Sequence, residues 1–253
     1  MKLGMPILYE FNSIKENVKL ANELNLDFIE LNLNFGYCRK EIENTKQLLN
    51  DLKDTNLELT LHFYDEADFG SYDEVVNAYI KLLKYYLSKA KKLNIKLLNI
   101  HLNEGPIVTI GGEKNYIYEK EFDNYIIRLI NNLKKVKKIC DKYNVGLVIE
   151  NIVIPKYLVN TYKILKEEGF AFNYDIGHDH TSNDTFKLEI LDNDINIKEF
   201  HIHDSTKSKC HLEIGTGELD LKFYKDLSMQ SYVVLEVKNS NDLINSVEKF
   251  KNI

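Results

Sequence analysis

The stretch Phe172–His180, FNYDIGHDH, ends an apolar run at Asp175 and follows it with His178 and His180. One polar exit from a strand is ordinary, but this chain repeats the arrangement. Glu30, His62, His101, Glu150, His201 with His203, and Glu236 each close a short apolar run, and His211 follows soon after His203. All seven histidines lie at or just past such endings, and none is expected in a helix. Carboxylate oxygen and neutral imidazole nitrogen are donors for zinc, manganese and related divalent ions. Gathered without a cation, so many carboxylates would repel one another and bind protons more tightly. A divalent ion removes that conflict, so the set reads as a metal site. Thiolates have no part in it: Cys38, Cys140 and Cys210 show no C-x-x-C spacing and read as core or surface thiols.

Residues this far apart in sequence need a scaffold that brings strand ends together. Eight β-type runs provide candidates: LGMPIL (3–8), DFIELN (27–32), LELTLH (57–62), KLLNIH (96–101), VGLVIE (145–150), FAFNYD (170–175), IKEFHIH (197–203) and YVVLEV (232–237). Between them run segments such as IKENVKLANEL and YIIRLINNLKKVKKICDKY, with apolar residues three and four apart and lysines opposite. Eight βα units in 253 residues match a single (β/α)8 TIM barrel occupying residues 1–253. A doubly wound open sheet is the alternative, since strand count does not show closure. In a parallel barrel every C-terminal strand end opens on one face, where the polar endings would converge.

Composition narrows the class of function. With 44% apolar and 11% aromatic residues the chain can bury one large core. Its apolar runs are strand-sized, so no membrane span is expected, and MKLGMPILYEF does not read as a signal peptide, which places the protein in the cytoplasm. A net charge of −6, with Arg39 and Arg128 the sole arginines, does not favour a nucleic-acid partner, although a locally basic groove is compatible with it.

The pieces LTLH (His62), LNIH (His101), LVIEN (Glu150), YDIGH (Asp175, His178), FHIHD (His201, Asp204), HLEIGTGELD (His211 to Asp220) and VLEV (Glu236) run in order through most of the chain. Together they resemble the xylose-isomerase-like barrel superfamily, which holds sugar isomerases and epimerases and the endonuclease IV type of DNA-repair nuclease. The resemblance implies a divalent metal (manganese, zinc, cobalt or magnesium) held by Glu150, Asp175, His201 and Glu236. It further implies that Glu150 and Glu236 carry protons on either face of a sugar carbon. A carbonyl and neighbouring hydroxyl held by a metal acidify the carbon between them through an enediolate, which makes isomerisation or epimerisation of a sugar, sugar phosphate or related polyol the expected reaction.

The nuclease pattern adds His62, His101, His178, His211 and an aspartate two residues before the last histidine. This chain has Lys209 there, and an ammonium offers no lone pair to a metal. Asp204 or Glu213 is a geometric substitute. The departure turns the reading toward a small-molecule enzyme, with a phosphodiesterase of abasic DNA as the alternative. His62, His101, His178, His211 and Lys209 are then expected to bind substrate, with one extra ion held by the four histidines as the alternative. Other polar residues take plainer readings. His203 is expected to face away from the metal as wall or support, His180 to be solvated, Glu30 to orient a ligand, bind substrate or lie solvated on the rim, Lys238 to be a surface lysine, and Gly215–Gly217 to form a turn beside the site.

Overall fold

The computed structural model describes residues 1–253. Twelve strands form: β1 Lys2–Pro6, β2 Phe28–Asn32, β3 Glu58–His62, β4 Ile95–His101, β5 Ile107–Ile110, β6 Glu113–Tyr116, β7 Gly146–Glu150, β8 Ala171–Asp175, β9 Ile197–Ile202, β10 Asp204–Thr206, β11 Lys209–Leu212 and β12 Tyr232–Leu235. Eight of them close a barrel in the order β1-β12-β9-β8-β7-β4-β3-β2, all pairs parallel. These are the eight expected runs, each shifted by no more than two residues at an end, and closure excludes the open sheet. The remaining four strands make two antiparallel hairpins, β5–β6 and β10–β11, which the periodicity does not single out.

Helices flank the barrel where the 3.6-residue pattern requires them. Ser13 opens the helix Ile14–Glu23 with a reciprocal cap: its hydroxyl accepts the Glu16 amide while the Glu16 carboxylate accepts from Ser13 and from the Asn12 amide. The helices ending near residue 93 and at Tyr143 stop at Asn94 and Asn144, both left-handed, so asparagine does here what glycine does in most chains. No helix is long and apolar enough to cross a membrane.

Side chains alternate along each barrel strand, and the two faces differ in chemistry. Leu3, Met5, Ile29, Leu31, Leu59, Leu61, Leu98, Ile100, Leu147, Ile149, Phe172, Tyr174, Phe200, Ile202, Val233 and Leu235 join one contiguous apolar cluster beneath the helices. Their neighbours of opposite parity turn inward and are largely polar. Glu30, Thr60, His62, Asn99, Glu150, Asn173, Asp175, Glu199 and His201 are all buried. Below this polar lumen the barrel is plugged by Phe28, which is fully buried against Gly4 of the neighbouring strand. A Cβ on Gly4 would lie 2.5 Å from the Phe28 ring, so glycine is what admits the plug.

Replacing Gly4 with Ala is therefore expected to displace the ring and destabilise the fold by about 1–3 kcal/mol. Adding Phe28→Leu should recover part of the loss in a double-mutant cycle of denaturant midpoints. Additive losses would show that ring and glycine do not meet.

Candidate metal centre

Strand ends β7, β8 and β9 and the residue after β12 deliver Glu150, Asp175, His201 and Glu236 to one point, and one donor atom from each lies within 4.8 Å of all the others. His201 Nδ1 stands 3.3 Å from Glu150 Oε1, 3.1 Å from Glu236 Oε2 and 3.9 Å from Asp175 Oδ2. Yet neither His201 Nδ1 nor Glu236 Oε2 has a hydrogen-bond partner, although both atoms are buried. Close approach without hydrogen bonds, from donors that all carry lone pairs, is the arrangement of ligands aimed at a shared cation. The four residues therefore fit a divalent ion, and the oxygen-rich set accommodates hard ions as well as zinc.

Each ligand is fixed by a partner on its other side. Asn99 and Asn173 both donate to Glu150 Oε2, the latter at 3.1 Å, and leave Oε1 facing His201. Glu30 Oε2 lies 3.4 Å from His201 Nε2 without a hydrogen bond, so its negative charge favours a proton on that side and leaves Nδ1 toward the metal. Lys238 Nζ bonds Glu236 Oε1 at 2.8 Å, so this exposed lysine is part of the centre's charge balance.

Asp175 is the most tightly held. Its amide donates to Asn151 Oδ1 and its carbonyl accepts from Asn151 Nδ2. Its carboxylate caps the short helix Ile176–Thr181 by accepting the His178 amide at 2.7 Å. This explains the D-x-x-H spacing: the aspartate is the N-cap, and the first helical turn brings His178 Nδ1 back to 3.4 Å from Asp175 Oδ2.

The structure corrects several expectations. His178 and His180 do lie in a helix, because Asp175 nucleates one directly at the strand exit. His203 does not face away: residues two apart share a strand face, and beyond the end of β9 its Nε2 reaches Asp175 at 3.1 and 3.2 Å. Gly177 makes room for it, since a Cβ there would sit 2.0 Å from His203 Cε1. His180 is buried, with Nδ1 3.0 Å from Asp184, and Glu30 is buried beneath His201, away from any rim. Neither proposed substitute for the missing aspartate faces the centre: Asp204 accepts the amides of Ser205, Gly215 and Leu219, and Glu213 pairs with Lys249 and Asn245. The Gly215–Gly217 turn is thus tied down by Asp204.

The other expected residues divide into three. His62 and His101 flank Glu150 at 3.4 and 3.7 Å and form with it a second possible metal-holding group. His178 and His211 come together with the half-buried Cys210, and the two imidazoles beside its sulfur draw its pKa down to about 6. Lys209 is exposed on β11 and makes no contact with the cluster. Sequence reasoning also passes over Asn99, Asn173 and Glu199, each two residues before a strand-end ligand and so on the same inward face. Burial, and then the charge of Glu30, push Glu199 up to about 8.

Charge in this pocket must balance. Burial opposes ionisation of Glu150, but His201 and His101 outweigh it and hold Glu150 well below the usual carboxylate range. Glu236 is held low against burial by Lys238 and His201. Conversely, burial disfavours charge on His62 and His178, yet Glu150 with Glu30, and Asp175, push both up to about 10. Burial lowers the pKa of His101, and its Nδ1 has no hydrogen-bond partner.

A metal ion competes with these imidazole protons, which fixes a pH signature. In chelator-treated protein the stabilisation from His62 and His178 is complete below their ordinary 6.5 and is lost as pH rises through about 10. The melting temperature of that form should fall over the alkaline range, and saturating zinc should flatten the slope. A metal-free melting temperature independent of pH there would contradict the charge balance described.

Comparison with known proteins bears on the fold and the family. No curated protein matches the chain. Among solved structures, a D-tagatose 3-epimerase-like protein superposes with a TM-score of 0.79 at 20% identity, covering 100% of this chain and 96% of that one. A 3-keto-D-glucoside 4-epimerase from E. coli gives 0.78 at 14% identity with both chains covered in full. The IOLI protein, with a zinc atom bound, gives 0.73 at 15% identity, covering 99% of this chain and 96% of that one. At such identities the likeness speaks to the fold. The family model described as xylose isomerase-like TIM barrel matches residues 18–252, nearly the whole chain, and the protein therefore belongs to that family.

Proposed function

We propose that this protein is a divalent-metal-dependent isomerase or epimerase of a sugar, sugar phosphate or related polyol. The observation that supports it is the placement of Glu150 and Glu236 on either side of His201 Nδ1, at 3.3 and 3.1 Å, from strands separated by β8 and β9. Two carboxylates reaching one locus from different sides suit removal of a carbon-bound proton by one and its return by the other. That several structural neighbours are sugar epimerases by name accords with the reading.

A divalent ion bound by Glu150, Asp175, His201 and Glu236 would draw charge from a carbonyl and adjacent hydroxyl and so acidify the intervening carbon. The chain's own residues do the rest. Asn99 and Asn173 hold Glu150 by Oε2, and Lys238 holds Glu236 by Oε1, so that both carboxylates are fixed in orientation toward the reacting carbon. Lys238 and His201 also keep Glu236 ionised and able to accept a proton. His62 and His101, on the Glu150 side, are placed to hydrogen-bond substrate hydroxyls; His62 Nδ1 is engaged by the Phe63 carbonyl, so Nε2 faces the pocket.

A second reading, hydrolysis of abasic DNA, rests on the extra group His62–His101–Glu150, which could hold a further ion. Against it stand the exposed Lys209 where that pattern has a carboxylate, and a net charge of −6.

The test is solvent-proton exchange. Metal-loaded protein incubated in heavy water with a panel of pentuloses and ketohexoses should incorporate deuterium at the carbon next to the carbonyl, with the epimer or isomer appearing alongside. No exchange with any member, together with cleavage of abasic-site DNA, would overturn the proposal in favour of the nuclease. Glu150→Gln and Glu236→Gln should each lower kcat by roughly 10²–10⁴-fold with far smaller changes in KM. Unchanged turnover in Glu236→Gln would remove it from proton transfer.

A further inference from the structure

Beside the central cluster stands a second group of donors with different chemistry. The helix Ile176–Thr181 carries His178, the hairpin strand β11 carries Cys210 and His211, and one donor atom from each lies within 4.8 Å of the others. Adjacent strand residues ordinarily point to opposite faces. Here His211 adopts φ +60°, a left-handed conformation uncommon outside glycine, and the broken alternation brings Cys210 and His211 to one site while Lys209 stays exposed. The turn is locked from beneath, because the His211 amide donates to His203 Nδ1 at 2.7 Å and His203 in turn holds Asp175. Nδ1 of His178 and Nδ1 of His211 are both buried without a hydrogen-bond partner. Buried polar atoms are seldom left so, and two of them flanking a thiol point to something shared.

We propose that His178, Cys210 and His211 form a second metal site, selective for a thiophilic divalent ion of the zinc class. The central set offers three carboxylates and one imidazole, which magnesium and manganese tolerate. One thiolate and two imidazoles exclude those hard ions and favour zinc or cobalt, and three protein ligands leave a fourth position open. The two sites adjoin: His178 Nδ1 is 3.4 Å from Asp175 Oδ2, and His211 Nε2 is 3.7 Å from Glu236 Oε1. An ion on the hairpin therefore lies against two central ligands and offsets their negative charge, making the centre mixed in both donor type and metal. The proposal stands whatever the substrate proves to be.

Cobalt makes the thiolate visible. Metal-free protein titrated with cobalt(II) chloride should develop a near-ultraviolet thiolate-to-cobalt charge-transfer band. Cys38 and Cys140 are fully buried in the core and do not contribute. In Cys210→Ser the band should vanish and bound zinc should fall by one equivalent per chain, while Lys209→Ala, altered one residue away, keeps both. Glu150→Gln, which alters a central ligand and none of the three hairpin-site donors, should retain the band, so failure of the central reading is told apart from failure of this one. A wild-type protein without the band, or a band that survives Cys210→Ser, overturns the proposal.

Discussion

Negative charge drawn into a dry barrel has to be matched by positive charge. Glu150 and Asp175, fully buried, and Glu236, at the mouth, converge on His201, and two like charges at about 4 Å repel by roughly 4 kcal/mol even at an effective dielectric of 20. No arrangement of apolar packing offsets that. Imidazolium can supply the compensation, which is why His62 and His178 hold their protons so firmly, and a divalent ion supplies it more compactly. The remainder of the site is organised around that requirement.

The carboxylate ligands are steadied from outside the cluster. Glu150 gives Oε2 to two asparagines, Glu236 gives Oε1 to Lys238, and Asp175 is gripped by a helix amide and His203, while the Glu30 carboxylate stands 3.4 Å from His201 Nε2. Such support makes the geometry rigid before any ion or substrate arrives, and it needs the polar inner face of the barrel. The fold tolerates that face because the apolar cluster sits outside the strands and Phe28 closes the lumen below.

Much of this was legible in the residues. Apolar runs that stop at His62, His101, Glu150 and Asp175 mark the catalytic end of the barrel directly, since the strand core must give way to chemistry there. The layer beneath is harder to see. Asn99, Asn173 and Glu199 sit inside apolar strands, and only strict two-residue alternation connects them with His101, Asp175 and His201. The same alternation, rightly applied, puts His203 beside His201. The Asp175 cap on the following helix is present in the D-x-x-H spacing, whereas the β10–β11 hairpin is not written in any periodicity. It is three and four residues long, polar, irregular in register and held by Asp204 across the turn, so the placement of Cys210 emerges only from tertiary structure. By contrast, Gly111–Gly112 between β5 and β6 is a local hairpin signal of the ordinary kind.

The central claim is that one divalent ion is shared by the ends of four neighbouring barrel strands, β7, β8, β9 and β12. Crystals of the protein loaded with zinc, measured on both sides of the zinc absorption edge, address it most directly. The account predicts an anomalous peak bonded at once to Glu150, Asp175, His201 and Glu236, at the roughly 2.0–2.2 Å expected of oxygen and nitrogen ligands. A fully loaded crystal with no peak among those four side chains would contradict it.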